Sequence, residues 1–134
     1  MRVFIISLVT ILSLGANITH SAPSKVFLDI VNYSASIDGY SSLCVKNYDD
    51  DRELKNLFDL INEVKAKYLL ITDDDYDFLR STYMKTKSAT ITQLMKLRLN
   101  SEKSNCNNYL KIFERFDRKK QKSLEDLENM IESY

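Results

Sequence analysis

Residues 50–71 read Asp50-Asp51-Arg52-Glu53-Leu54-Lys55-Asn56-Leu57-Phe58-Asp59-Leu60-Ile61-Asn62-Glu63-Val64-Lys65-Ala66-Lys67-Tyr68-Leu69-Leu70-Ile71. Leu54, Leu57, Phe58, Ile61, Val64 and Tyr68 recur at steps of three and four, the spacing of one face of an α-helix. Lys55, Asp59, Asn62, Glu63 and Lys67 take the rest of the cylinder. A face this apolar is stable only when other segments cover it. The stretch is therefore expected to be the central helix of a small helical domain.

Working outward, the same period continues on both sides. Towards the N-terminus, Val26, Ile30, Tyr33 and Ile37 follow helical steps, with Ser24 after Pro23 as the N-cap. Val26-Phe27-Leu28 also alternates well enough for a short strand. Asp38-Gly39 should end this element, because glycine readily takes the left-handed conformation that closes a helix. Tyr40 to Asp49 then reads as a loop carrying Cys44. Towards the C-terminus, Thr72 and Asp75 spell a capping box that opens a helix at Asp73, with Tyr76, Leu79 and Tyr83 inward and Phe78 beside them. The polar stretch Lys85 to Thr90 is expected to be a connection. Thr90 and Gln93 repeat the capping pattern ahead of Ile91, Leu94, Met95 and Leu99.

A turn over Asn100–Ser104 precedes a helix from about Asn105 to Lys120, with Cys106, Tyr109, Leu110, Phe113 and Phe116 on one side. Ser123 and Asp126 should cap a last helix, with Leu124, Leu127, Ile131 and Tyr134 inward. The expected fold class is all-α: a small bundle of about four to five amphipathic helices, with no repeat and no internal domain boundary.

The first residues set the compartment. Arg2 is followed by the apolar run Val3 to Leu14 and the more polar stretch Gly15 to Ser21, the three-part pattern of a secretory signal peptide. The apolar run is short for a bilayer span. Cleavage is expected after Ser21, with Thr19 and Ser21 at the recognition positions; a cut after Ala22 would put Pro23 at the scissile bond. An uncleaved N-terminal anchor is the alternative. Residues 1–21 are thus expected to be a leader and residues 22–134 one helical domain, secreted and extracellular, with no transmembrane span.

Composition then limits the chemistry. The single histidine, His20, and one of two glycines, Gly15, fall in the expected leader. What remains lacks a serine–histidine or cysteine–histidine pair, a histidine metal ligand, a glycine-rich phosphate loop and a G-x-S-x-G elbow. Nineteen basic residues balance nineteen acidic ones, so no global field draws the chain to nucleic acid or anionic membrane. A catalyst built from carboxylates alone is the remaining enzymatic design, and so short a chain shows no sign of the cleft it needs. No enzyme activity and no cofactor are expected.

Cys44 and Cys106 are the only cysteines. In an oxidising compartment such a pair is most simply one internal disulfide, stabilising by about 4 kcal/mol in the chain-entropy model. Two buried thiols or an intermolecular bridge are the alternatives.

Four surface features merit a reading. Asn32-Tyr33-Ser34 fits the N-glycosylation acceptor pattern, and a glycan on Asn32 would require it to face solvent. Asp49-Asp50-Asp51 and Asp73-Asp74-Asp75 with Asp77 could supply calcium ligands, but acidic residues at helix starts are already explained by the helix dipole. Phe113 to Asp117 running into Ser123, Leu124 and Glu128 resembles the helix–loop junction of an EF-hand. There, Lys119, Gln121 and Lys122 stand where the family needs oxygen ligands and glycine, so no metal is expected. The basic residues Lys111, Arg115, Arg118, Lys119, Lys120 and Lys122 could meet an acidic glycan, an acidic membrane or an acidic protein surface. The competing reading is a solvated helix end whose cations complement the negative pole of the dipole. No aromatic is interleaved so as to stack bases, which disfavours nucleic acid.

The function these features favour is a secreted, non-enzymatic protein that binds an extracellular or host-cell protein, in plan like helical cytokines and small secreted effectors. The alternative is an extracellular carrier of a small hydrophobic ligand, in which the eight tyrosines, six phenylalanines and four methionines would line a cavity rather than fill a core.

Overall fold

A computed structural model describes residues 24–49, 52–68, 70–100 and 105–133. Residues 1–23, on which the expected leader falls, Asp50, Asp51, Leu69, Tyr134 and residues 101–104 of the expected turn lie outside the described residues, as does the side chain of Leu99. The described chain is all-helical: α1 (Lys25–Cys44), α2 (Arg52–Tyr68), α3 (Asp73–Asn100), a 3₁₀ turn (Asn105–Asn108) and α4 (Tyr109–Glu132).

The central element is α1 rather than α2. Phe27, Ile30, Val31, Ser34, Ala35, Ile37, Asp38, Gly39 and Ser41 are buried on α1, and they lie around most of its circumference. It packs along both α3 and α4 and also meets α2. The physical reason is the distribution of charge. After Lys25, α1 carries only Asp29 and Asp38 as charged residues, so nearly every side of it is better off out of water. A helix apolar all round goes inside, whereas one with a single apolar stripe sits at the edge. Helix α2 is of the second kind. Its Leu57, Phe58, Ile61 and Val64 are buried, with Leu54 and Tyr68 half-buried, as its spacing implies.

Gly39 does not end α1. It lies inside the helix at an ordinary negative φ, and its role is close approach. A Cβ there would come 3.0 Å from both Cβ and Cγ2 of Thr90 and 3.2 Å from the Lys87 carbonyl on α3. The helix therefore runs on to Cys44, its last residue, which the sequence assigns to a loop. Ser24 occupies the N-cap position, but its hydroxyl makes no capping bond.

The capping box of α3 forms as expected. The Asp75 amide donates to Thr72 Oγ1 and the Thr72 amide to Asp75 Oδ2, each at 3.0 Å. Lys85–Thr90, however, is helix. The stretch holds no glycine or proline, and Thr90 donates its hydroxyl to the Thr86 carbonyl one turn back, at 2.8 Å, instead of capping a new helix. Likewise α4 passes through Ser123 and Asp126 unbroken, with Ser123 buried in mid-helix. Burial of the apolar stripe on either side of these polar residues outweighs their weak local preference for a helix start.

The core gathers Phe27, Ile30, Val31 and Ala35 of α1 with Leu57, Phe58, Ile61 and Val64 of α2, Leu79 and Tyr83 of α3 and Leu127 of α4. Phe58 meets Tyr76 and Tyr83 edge-on, with ring centroids 5.3 and 6.0 Å apart, the arrangement aromatic quadrupoles favour. Leu110 points outward at 70% exposure, against its expected inward position.

Cys44 and Cys106 form a disulfide with Cα atoms 5.3 Å apart. It fastens the end of α1 to the 3₁₀ turn that leads into α4. Close by, Ser41 of α1 and Tyr109, the first residue of α4, share a hydrogen bond of 2.8 Å.

Candidate functional site

Two groups of polar side chains stand out, one inside the bundle and one outside. The inner group centres on Asp38, which is fully buried on α1. Lys87 of α3 reaches it at 3.0 Å, and the Tyr83 hydroxyl donates to its Oδ2 at 2.9 Å. Tyr48, in the connection after α1, brings a buried hydroxyl to the same region. Burial and then the neighbouring Asp38 carboxylate push the pKa of both phenols up. Both therefore stay protonated at neutral pH. Around this centre lie the Ser41–Tyr109 bond and the Lys120–Glu53 ion pair, at 3.0 Å. Groups from all four helices thus meet in one polar seam.

An ion pair in such a place contributes little net stability but is costly to break. The seam links α1 to α3 and to α4, and α4 to α2, and its phenols are too weakly acidic to serve as bases. Sequence reading missed it. The signal was present: Ser34, Asp38 and Ser41 interrupt the apolar face of α1 at steps of four and three.

The outer group is the basic set. At 100° per residue, Lys111, Arg115, Arg118 and Lys122 fall on one stripe of α4, with Lys119 on its flank. Lys120 does not join them. It points to the opposite side and is taken up by Glu53. Arg115 lies over the Phe116 ring at 5.3 Å and Lys119 over the Tyr33 ring at 5.8 Å, and Tyr33 and Tyr40 both flank Phe116. Lys122 pairs with Asp126 at 3.5 Å with both side chains well exposed, a contact worth little in water.

Asn32 is half-buried, and its Oδ1 accepts a hydrogen bond of 2.9 Å from the Thr86 hydroxyl on α3. A glycan would attach through Nδ2, the other end of the same amide, so this bond neither supports nor rules out the modification. Asp73, Asp74 and Asp75 occupy the first turn of α3, where Asp73 pairs with Lys65 and Asp75 completes the capping box. Among the described residues no group of three or more histidine, cysteine or acidic side chains converges as metal ligands.

A third surface lies on α3. Met84 and Met95 are each about half exposed, at 50% and 52%, and three helical turns apart on the same side. A shallow groove beside them is lined by Ser88, Ala89 and Thr92, with Lys85, Gln93 and Lys96 at its rims. Composition gave no reason to single it out. No helix among the described residues is long and apolar enough to cross a membrane. Comparison with protein-family models, with curated proteins and with solved structures finds no match to this chain.

Proposed function

We propose that this chain is an exported, non-enzymatic helical protein that acts by binding another protein outside the cell, as an effector or cytokine-like ligand. The observation that carries the reading is the half-exposed apolar surface of α3 around Met84 and Met95. Its flexible thioethers can repack against a partner, and a partner would remove them from water. The polar seam is consistent with this, since its charges are spent on holding helices together. The aromatic residues that a hydrophobic carrier would need at a cavity wall are instead packed ring on ring, as Phe58 is with Tyr76 and Tyr83.

Saturable binding of the purified, disulfide-bonded chain to target-cell surfaces tests the proposal. The doubly charged variant Met84→Asp/Met95→Asp should lose at least tenfold in affinity while melting within a few degrees of the parent. Absence of saturable protein-dependent binding, or binding unaffected by both substitutions, removes the reading.

A further inference from the structure

The basic stripe has a property that its sequence position disguises. Read along the chain, the cations fall at the end of the helix expected to close at Lys120, where they would complement the dipole. In the fold α4 continues to Glu132, so the cations occupy its first half. Lys111 stands in the first turn, beside the positive pole, and neither an acidic residue in the first turn nor a basic one in the last offsets it. Glu125, Asp126, Glu128 and Glu132 crowd the other end. Charge on α4 thus runs against its dipole, and the stripe repeats like charges at spacings that repel. Neither arrangement helps α4 to form.

The cations are also free to engage something else. Lys111, Arg115, Arg118 and Lys119 make no ion pair among the described residues; Lys46, Arg52, Arg80, Lys85 and Lys96 make none either, so what sets the α4 cations apart is that they are gathered on one stripe of one helix. Between Lys111 and Lys122 the acidic residues are Glu114 and Asp117. Glu114 borders the stripe, and Asp117 lies about a third of a turn round from it. At the far end Asp126 and Asp29 border the same shallow depression as Arg118, Lys119 and Lys122, so the uncompensated part is centred on Lys111 and Arg115, with Arg118 at its edge.

We propose that this face of α4 is a docking track for a linear sulfated polysaccharide. The stripe is straight and about 16 Å long from Lys111 to Lys122, at 1.5 Å of rise per residue. That suits a chain of regularly repeated anions better than a single compact one. Guanidinium groups grip oxyanions such as sulfate in two-point fashion, and the Phe116 and Tyr33 rings give Arg115 and Lys119 a fixed floor. The face carries no large exposed apolar side chain. Leu110, the most exposed one on α4, sits about a quarter-turn away. An amphipathic membrane anchor would need such residues for insertion, and a protein interface centres on packed, desolvated anchors with lysine depleted, unlike this open lysine-rich row. A polyanion needs only the charges. This site is on a different helix from the α3 surface and does not depend on it.

The test is binding of the full, disulfide-bonded chain to size-defined heparin, to the same heparin chemically desulfated, and to vesicles of phosphatidylcholine with phosphatidylserine. Heparin should bind, with affinity falling roughly 100-fold between 50 and 200 mM salt if three to four cations release counter-ions. Desulfated heparin and the vesicles should bind at least tenfold more weakly. Arg115→Gln/Arg118→Gln should cost at least tenfold in heparin affinity with an unchanged melting temperature, while Lys85→Gln/Lys96→Gln on α3 leaves it as it was. No heparin binding at 50 mM salt, equal binding of desulfated heparin or vesicles, or an Arg115→Gln/Arg118→Gln variant that is folded and binds as the parent does would each overturn the proposal. Enzymatic removal of sulfated glycans from target cells separates the two readings, because binding through α3 survives it and binding through α4 does not.

Discussion

Asp38 and Arg118 are both charged side chains on helices of one small bundle, and they live under opposite rules. Asp38 is fully buried and is met by Lys87, by Tyr83 and by the field of neighbouring phenols. Arg118 lies in water on α4 with no ion-pair partner among the described residues. Inside, a charge without a partner costs several kcal/mol, so the fold has to build one. Outside, water does that work, and the position of a charge is free to serve something other than folding. Interior charge in this protein reports on how helices are held, and exterior charge on what they meet.

The comparison predicts a graded series. Asp38→Ala, which takes the buried carboxylate away from the Lys87 ammonium and the Tyr83 hydroxyl, should destabilise by about 3–5 kcal/mol in chemical denaturation. A loss below 1 kcal/mol would mean that the seam is open to water and that the inside–outside distinction fails. Tyr83→Phe removes only the hydroxyl that donates to Asp38 and should cost about 2 kcal/mol.

The same variant has a pH signature. The folded pKa of Tyr83 lies above its usual value of 10.0, with burial the main cause and Asp38 the next. Its contribution is therefore fully present below about pH 10, the unfolded value, and is lost as pH rises beyond it. Stability of the parent should fall through that alkaline range, and more steeply than that of Tyr83→Phe, when followed by denaturation at stepped pH.

Gly39→Ala comes next. The added methyl meets Thr90 and the Lys87 carbonyl within 3.2 Å, and a clash with backbone outweighs the better helix propensity of alanine. A net loss of about 1 kcal/mol is expected, and Thr90→Ser should recover part of it by removing Cγ2. The smallest effect belongs to the surface. Lys122→Ala breaks an ion pair with both partners well exposed and should change stability by less than about 0.5 kcal/mol.

How far the fold could be read beforehand follows the same divide. One-sided helices were legible. The stripe of α2 and the capping box at Thr72 and Asp75 appear where their spacing puts them, because each depends on residues three or four apart. The cysteine pairing was legible too, from counting and from the expected compartment. Breaks were not. Gly39, Thr90 and Ser123 carry local signals for ending or starting a helix, and in each case contact with a distant helix decided otherwise: Gly39 against Thr90, and Ser123 buried in the body of the bundle. The polar seam was legible on one side only: Ser34, Asp38 and Ser41 mark it on α1 at steps of four and three, but nothing in the sequence links Asp38 to Lys87, far away in the chain. The six-residue basic set was legible as composition only. Recognising that Lys120 turns inward to Glu53 while Lys111, Arg115, Arg118 and Lys122 share one outer face requires knowing that α4 is unbroken.

The link between Cys44 and Cys106 spans a sequence separation of 62 residues and encloses the whole of α2 and α3. A protease that cuts the backbone once anywhere inside that interval does not release a fragment, because both halves stay covalently attached. A nicked molecule would still travel as one species until a reductant is added, so a single cut between α2 and α3 would leave α1 and α4 joined.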